Sequence, residues 1–384
     1  MTRYFILLFS IFISTLVVSS QIPDNDPELL KAKGDNYLIE NSYDSAVLYY
    51  NRAATGFLRE ADIKQYLYCK NQEAYTLGFQ NKNLEALRIC ENIIEEYPDS
   101  LQAYRLDIYF FWKMALFSVR IGNFDVAYTY GVKTKETAES YSIFEGYMLN
   151  DVLDILTTST RYIGLYDIGL EYALEKIKYC QSVGDYLNLS HSYNNIALIY
   201  KRLYDHNRAL EYFIRCMELR ERYAPQWTPY VTTNIGEMYQ EIGQSDSALT
   251  WFQNTLRILK EQGVRENLLY SVVYSSISVA MAKEGNYDSA KVYFQSAINE
   301  DTKNGDYVRW LANAVRQSKQ YDEAIAYYKQ ALTLNPEDGL AWNGIGQCYD
   351  HKGVTDKACK AWNKGAQLGS YFAEANLLEF CNKR

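Results

Sequence analysis

Apolar and polar positions follow a helical period along almost the whole chain, and the pattern itself recurs. A Tyr or Phe is followed after two residues by Ala, after three more by an aromatic, and after two more by a small residue. It reads Tyr43-Ala46-Tyr50-Ala53, Tyr287-Ala290-Phe294-Ala297 and Tyr321-Ala324-Tyr328-Ala331. Looser copies centre on Ala86, Ala127, Gly169, Ala209, Ala248 and Ala358. Successive centres lie 40, 41, 42, 40, 39, 42, 34 and 34 residues apart, a near-constant period that marks a repeat architecture. Upstream of each centre runs a second stripe, plain in Ala341, Trp342, Ile345, Gly346 and Tyr349 and again in Val231, Thr232, Ile235, Gly236 and Tyr239. Such spacing lays one apolar face along a 3.6-residue helix. Each copy therefore predicts two helices. Gly236, Gly346, Ala197 and Ala312 let a neighbouring helix come close, and large flanking aromatics fill the gaps.

The turn between the two helices has its own signature. Five residues before the centre stand Gly122, Gly164, Gly243, Gly285 and Gly353, with Asn41 and Asn81 in the first two copies. Gly and Asn tolerate the left-handed conformation that ends a helix. Tyr204 and Lys319 break this rule, so those two turns are expected to be built differently. Asp44, Asp125, Asp167, Asp246 and Asp288 fall near the start of the second helix, where negative charge suits the dipole.

Composition narrows the class. The chain has 384 residues, 39 Lys+Arg, 47 Asp+Glu and a formal charge of −8. Mild acidity argues against the basic face that nucleic acid requires. Only 6 Pro favours helix, and 48 % hydrophobic with 22 % charged residues excludes a disordered or fibrous chain. Tyr is abundant, at 37, but Tyr43, Tyr166, Tyr287 and Tyr321 share one repeat slot, and Tyr37, Tyr200, Tyr239 and Tyr349 another. Tyr50 and Tyr328 share a third with Phe213, Phe252, Phe294 and Trp362. Packing therefore explains most of them better than sugar stacking does.

Residues 1–20 carry Arg3, then an apolar run from Phe5 to Val18, then Val18-Ser19-Ser20 before Gln21. That is the layout of a secretory signal peptide, too short for a spanning helix. Residues 21–26 read as an exposed leader, and no later stretch is apolar enough to cross a membrane. An exported protein of the periplasm or outer surface of a Gram-negative bacterium is expected. His191, His206 and His351 have no ligand spacing and read as exposed helix-end residues. There is no phosphate-binding glycine loop, nucleophile elbow or CxxC. The residues call for no cofactor or metal, and no enzyme is expected.

The last copy, Trp342-x2-Ile345-Gly346-x2-Tyr349 with Ala358 and Trp362, resembles the tetratricopeptide repeat (TPR) family, and the likeness runs over residues 27–370. Pro98 and Pro336 fall at that family's closing proline. The first six periods exceed the family's repeat by about six residues, nearly one extra turn per helix. The resemblance implies an all-α solenoid: a right-handed superhelix of about nine hairpins, with residues 371–384 as a capping helix. It also implies a binding scaffold for a protein or peptide partner, employed in envelope assembly or sensing. A cell-surface glycan-binding module is the alternative.

In such proteins the first helix of each pair lines the concave side. Carried over slot by slot, the lining is Tyr68, Asn71, Tyr75, Phe79, Tyr109, Trp112 and Leu116 in copies two and three. It is Asn194, Leu198, Lys201 and Arg202 in copy five, and Glu237, Gln240 and Glu241 in copy six. It is Arg309, Asn313, Arg316, Asn343, Gln347 and Asp350 in copies eight and nine. The first group would hold apolar side chains; the two arginines of the last would grip a carboxylate. Gly344 replaces an Asn that the family's carboxylate clamp needs, so that clamp is incomplete. Among seven cysteines, Cys90 and Cys216 occupy packing slots. Cys359, on the face that meets the cap, and Cys381, on the cap itself, are the favoured disulfide pair, with Cys348 a rival partner.

Overall fold

The structure is a computed structural model that describes residues 25–143, 146–264 and 268–381. The expected signal peptide and most of the leader lie outside the described residues, as do the last three residues of the expected cap. Within them the chain forms twenty α-helices and one short 3-10 turn, with no strand. In order, the pairs are α1 (Pro27–Ile39) and α2 (Tyr43–Arg59), α3 (Ile63–Phe79) and α4 (Asn83–Glu96), the latter followed by the short α5 (Pro98–Ala103). Next come α6 (Asp107–Arg120) and α7 (Phe124–Tyr141), α8 (Gly146–Ile163) and α9 (Tyr166–Val183), α10 (Tyr186–Arg202) and α11 (His206–Tyr223). Then follow α12 (Thr228–Ile242) and α13 (Ser245–Glu261), α14 (Leu268–Lys283) and α15 (Tyr287–Glu300), α16 (Gly305–Gln317) and α17 (Tyr321–Leu334). The last pair is α18 (Gly339–His351) and α19 (Thr355–Gln367), and α20 (Tyr371–Phe380) ends the series. All nine repeat centres fall in the second helix of a pair. The extra residues of the long copies are helical: α2, α3 and α7 to α11 have 17 or 18 residues, whereas α15 to α19 have 13 or 14.

Packing divides the chain into two compact units, residues up to Ser159 and from Thr160, with the boundary inside α8. In unit 1 one core runs from Leu30 to Phe117 through Phe57, Leu67 and Phe110. In unit 2 a series of cores follows the chain, around Ile196, Phe213, Phe252, Tyr328 and Trp362, the one around Tyr328 running from Ala290 to Ala361. Within each unit, contacts join consecutive helices and, more sparsely, next-but-one helices, as in a quasi-one-dimensional stack.

The small-against-large arrangement has one register. Gly34, Ala197, Gly236, Ala312 and Gly346 on first helices stand sixteen residues before Tyr50, Phe213, Phe252, Tyr328 and Trp362, all five of which are fully buried. A Cβ at Gly236 would lie 2.5 Å from the Phe252 ring, and one at Gly34 would lie 2.8 Å from Tyr50. Cys90 and Cys216 are buried packing groups. The other two aromatic slots differ: Tyr37, Tyr43, Tyr166, Tyr200, Tyr239, Tyr287, Tyr321 and Tyr349 are only half-buried, so they cover the hydrophobic layer rather than form it.

Two expectations are corrected. Tyr204 and Lys319 adopt φ of 57° and 66°, the same left-handed turn that Gly and Asn make elsewhere. Gly is absent there, yet the helix pair still requires that corner, so an L-residue occupies it with strain. His191 is not at a helix end; it lies half-buried within α10. At the far end, Cys359 and Cys381 form a disulfide between α19 and the residue after α20, with Cα atoms 5.8 Å apart. Cys348 is a buried free thiol. Among the described residues no helix is long and apolar enough to cross a membrane.

Candidate functional site

Helix α3 places Tyr68, Asn71, Tyr75 and Phe79 on one face because they are three or four residues apart. Helix α6 does the same for Tyr109, Trp112 and Leu116. In unit 1 the two rows meet. Tyr68, Asn71, Gln72, Tyr75, Leu106, Tyr109, Trp112 and Lys113 line an open cavity of about 470 Å³. Tyr75, Phe79, Trp112, Leu116, Phe117 and Arg120 line a second one, of about 260 Å³, with Asp151, Asp154 and Ile155 of α8. Tyr75 and Trp112 form the shared wall, their ring centroids 6.3 Å apart. Phe79 packs edge-on against Tyr75 at 4.8 Å and stacks on Tyr43 at 5.3 Å. Trp112 is only 6 % exposed, so its face is no platform for a sugar ring. All the first-group residues thus come together.

Four charged lining residues were missed from the sequence. Lys113 is 3 % exposed, although it is a cation. Its Nζ donates to Asn71 Oδ1 at 2.6 Å and faces the rings of Tyr75 and Trp112 at 5.2 and 5.3 Å. Burial pushes its pKa from 10.5 down to about 8, and the titratable group felt most is the thiol of Cys90, itself held up at about 12 by burial. The signal was a lone Lys within the apolar run Ile108–Phe117. Asp151 and Asp154 occupy the lining slots of the fourth copy, so the slot rule applied there would have found them. Arg120 donates to the Gly78 carbonyl at 3.0 Å.

The other expected residues lie in unit 2, where their charges and amides are largely engaged by the chain itself. Lys201 pairs with Glu237 at 3.0 Å and Glu241 at 3.2 Å; burial acts to lower its pKa, but these carboxylates carry it above the ordinary value. They line a cavity of about 600 Å³ with Arg161, Leu198, Arg202, Tyr204, His206 and Asn234, and Asn234 donates to Asn194 at 3.3 Å. Arg309 pairs with Asp306 at 2.5 Å and Asp338 at 2.7 Å, which occupy the fork that was to grip a ligand carboxylate. Tyr328 donates to Asn313 at 2.5 Å and accepts from Arg316 at 3.3 Å. Asn343 is buried and accepts from Asn376 of α20, while Gln347 and Asp350 are half-buried.

Tetratricopeptide repeat profiles match residues 282–338 and 311–371, and another of the same description matches residues 189–224. The chain is a tetratricopeptide repeat protein. Repeats of this family support protein–protein interaction scaffolds, and the family is generally non-catalytic. A TPR repeat-containing protein of Methanocaldococcus jannaschii is 23 % identical over 316 residues, covering 78 % of this chain and 53 % of the relative. The BBSome complex member BBS4 homolog of Drosophila melanogaster is 28 % identical over 45 % of this chain and 35 % of its own. The chain spans between 10 % and 53 % of the length of the curated relatives it matches. Among solved structures, the apo quorum sensor NprR of B. thuringiensis superposes with a TM-score of 0.61 at 12 % identity, covering 89 % of this chain and 99 % of that one. It shows the same fold.

Proposed function

We infer that the chain is an exported TPR scaffold that docks a peptide, or a peptide-like segment of a partner protein, along the α3–α6 face of unit 1. The observation that carries this reading is the pair of adjoining cavities sharing Tyr75 and Trp112. Aromatic side chains held rigidly around a hollow give contact area with little entropy left to lose, the usual make-up of a binding hot spot. A peptide crossing both cavities would place successive side chains in them. The polar surfaces of unit 2 support docking less well, because Arg309 and Lys201 already have carboxylate partners. Export is supported by the residues 1–20 pattern and by the Cys359–Cys381 disulfide, which suits an oxidising compartment. Envelope assembly or sensing in a Gram-negative cell is the employment that fits.

The test is selection of peptides from a displayed library on the purified chain. Selected peptides should bind the Tyr75→Ala plus Trp112→Ala double variant at least about tenfold more weakly. They should bind the Arg309→Glu plus Arg316→Glu variant like the wild type. Peptides indifferent to the first pair would remove the α3–α6 site. Mass spectrometry of the secreted chain should find Gln21 at its N-terminus.

A further inference from the structure

The cavity of about 600 Å³ in unit 2 is walled by the last turns of α8 and α10, the corner into α11, and α12. Its charges are unevenly matched. Lys201 engages both lining carboxylates, Glu237 and Glu241. Arg161 and Arg202 line the same space and have no carboxylate partner among the described residues. Arg161 lays its guanidinium over the Tyr162 ring at 4.4 Å, and its Nε is shielded from solvent with no hydrogen-bond partner. His206 Nδ1 is in the same condition. Shielded polar atoms are ordinarily satisfied, so two orphans around one hollow point to a group that enters it. Three permanent cations face two carboxylates there, in a chain of net charge −8, so the local field favours an anion against the sign of the whole molecule. Tyr204 adds a wall. It keeps a side chain at a left-handed corner where five copies use Gly, leaves it 80 % exposed, and sets its ring edge-on to His206 at 6.4 Å. Backbone strain of that kind is often kept where a site uses it.

We propose that this cavity binds a small-molecule phosphate monoester, with Arg161 and Arg202 holding the phosphoryl oxygens, His206 completing the contact, and Tyr204 and Leu198 bordering the attached organic group. Near neutrality such an ester carries about 1.5 to 2 negative charges and three acceptor oxygens, enough for two guanidinium forks and an imidazole. A carboxylate has two oxygens and a single charge, and would satisfy one fork. The hollow is larger than a phosphoryl group and falls within the range of small-molecule pockets, so the organic part has room. The site lies in unit 2 and does not rest on the peptide-docking reading.

The probes are phenyl phosphate, inorganic phosphate and benzoate, titrated into the full chain at low ionic strength by calorimetry, with phosphorus NMR alongside. Phenyl phosphate should bind one site at least about tenfold more tightly than benzoate, and inorganic phosphate should displace it. Arg202→Gln changes an exposed side chain and Arg161→Gln a half-buried one; each should weaken phenyl phosphate at least about tenfold with helical content unchanged. Glu237→Gln removes a negative charge from the lining and should strengthen binding of both phosphates. Tyr204→Gly should weaken phenyl phosphate and leave inorganic phosphate as it was. The site is overturned if phenyl phosphate and benzoate bind alike, if neither phosphate saturates at millimolar concentration, or if the Arg202 variant, folded like wild type, also binds like wild type. Binding of inorganic phosphate without phenyl phosphate would overturn the ester and mark an adventitious ion only.

Discussion

At the scale of single residues, two kinds of misfit stand out. Tyr204 and Lys319 hold left-handed backbone at corners where other copies use Gly or Asn. An L-residue pays about 1–2 kcal/mol there, and Gly gives back part of the gain through its freer unfolded state. Tyr204→Gly and Lys319→Gly should each stabilise by roughly 0.5–1 kcal/mol, seen as a higher urea midpoint with unchanged slope. Both side chains are exposed, so little packing is lost. The other misfit is Lys113. Its folded pKa, about 8, lies below its ordinary 10.5. Between those values the unfolded chain holds more protons than the folded one, so this residue's contribution makes stability rise with pH across that window. The penalty is full below about pH 8 and fades towards 10.5. Lys113→Met should therefore be more stable than wild type near neutrality, with the gap narrowing by about 2–3 kcal/mol by about pH 10, read from paired urea melts.

At the scale of elements, close approach within a helix pair depends on what one side lacks. With a Cβ at Gly236 falling 2.5 Å from Phe252, Gly236→Ala should cost about 1–3 kcal/mol by overpacking. Adding Phe252→Leu should recover part of that loss in a double-mutant cycle, since the two residues share one space. The C-terminal helix is held differently. Trp362 packs against Ala373 and lies 5.7 Å from Phe380, and the disulfide closes a loop with a sequence separation of 22. Such a loop is worth about 3 kcal/mol in the chain-entropy account. Cys359→Ser should loosen α20 first, detected as faster amide exchange and proteolysis confined to residues after Gly369.

At the scale of the molecule, interactions within each unit run between near neighbours along the chain. Damage should therefore stay local. Gly236→Ala is expected to raise amide exchange in α12 and α13 and the helices beside them while leaving α18 and α19 protected, because among the described residues no core spans that distance. Equal deprotection throughout unit 2 would show a cooperative globule instead.

The repeat period, the two helices per copy, seven of the nine left-handed corners and the small-against-large packing were legible in the chain, because each is imposed by local geometry: a 3.6-residue stripe, a residue that permits positive φ, a Gly where a ring must fit. So was the aromatic lining of α3 and α6, since slot and face are the same thing on a helix. Tertiary structure decided what those faces do. Arg309 and Lys201 read as binding groups along the sequence, yet their partners, Asp338, Glu237 and Glu241, come from the neighbouring first helix. Lys113 read as nothing, because its burial depends on Asn71, Tyr75 and Cys90 from two other helices. Charge is a property of a residue, but whether it is satisfied belongs to the space that several helices enclose together.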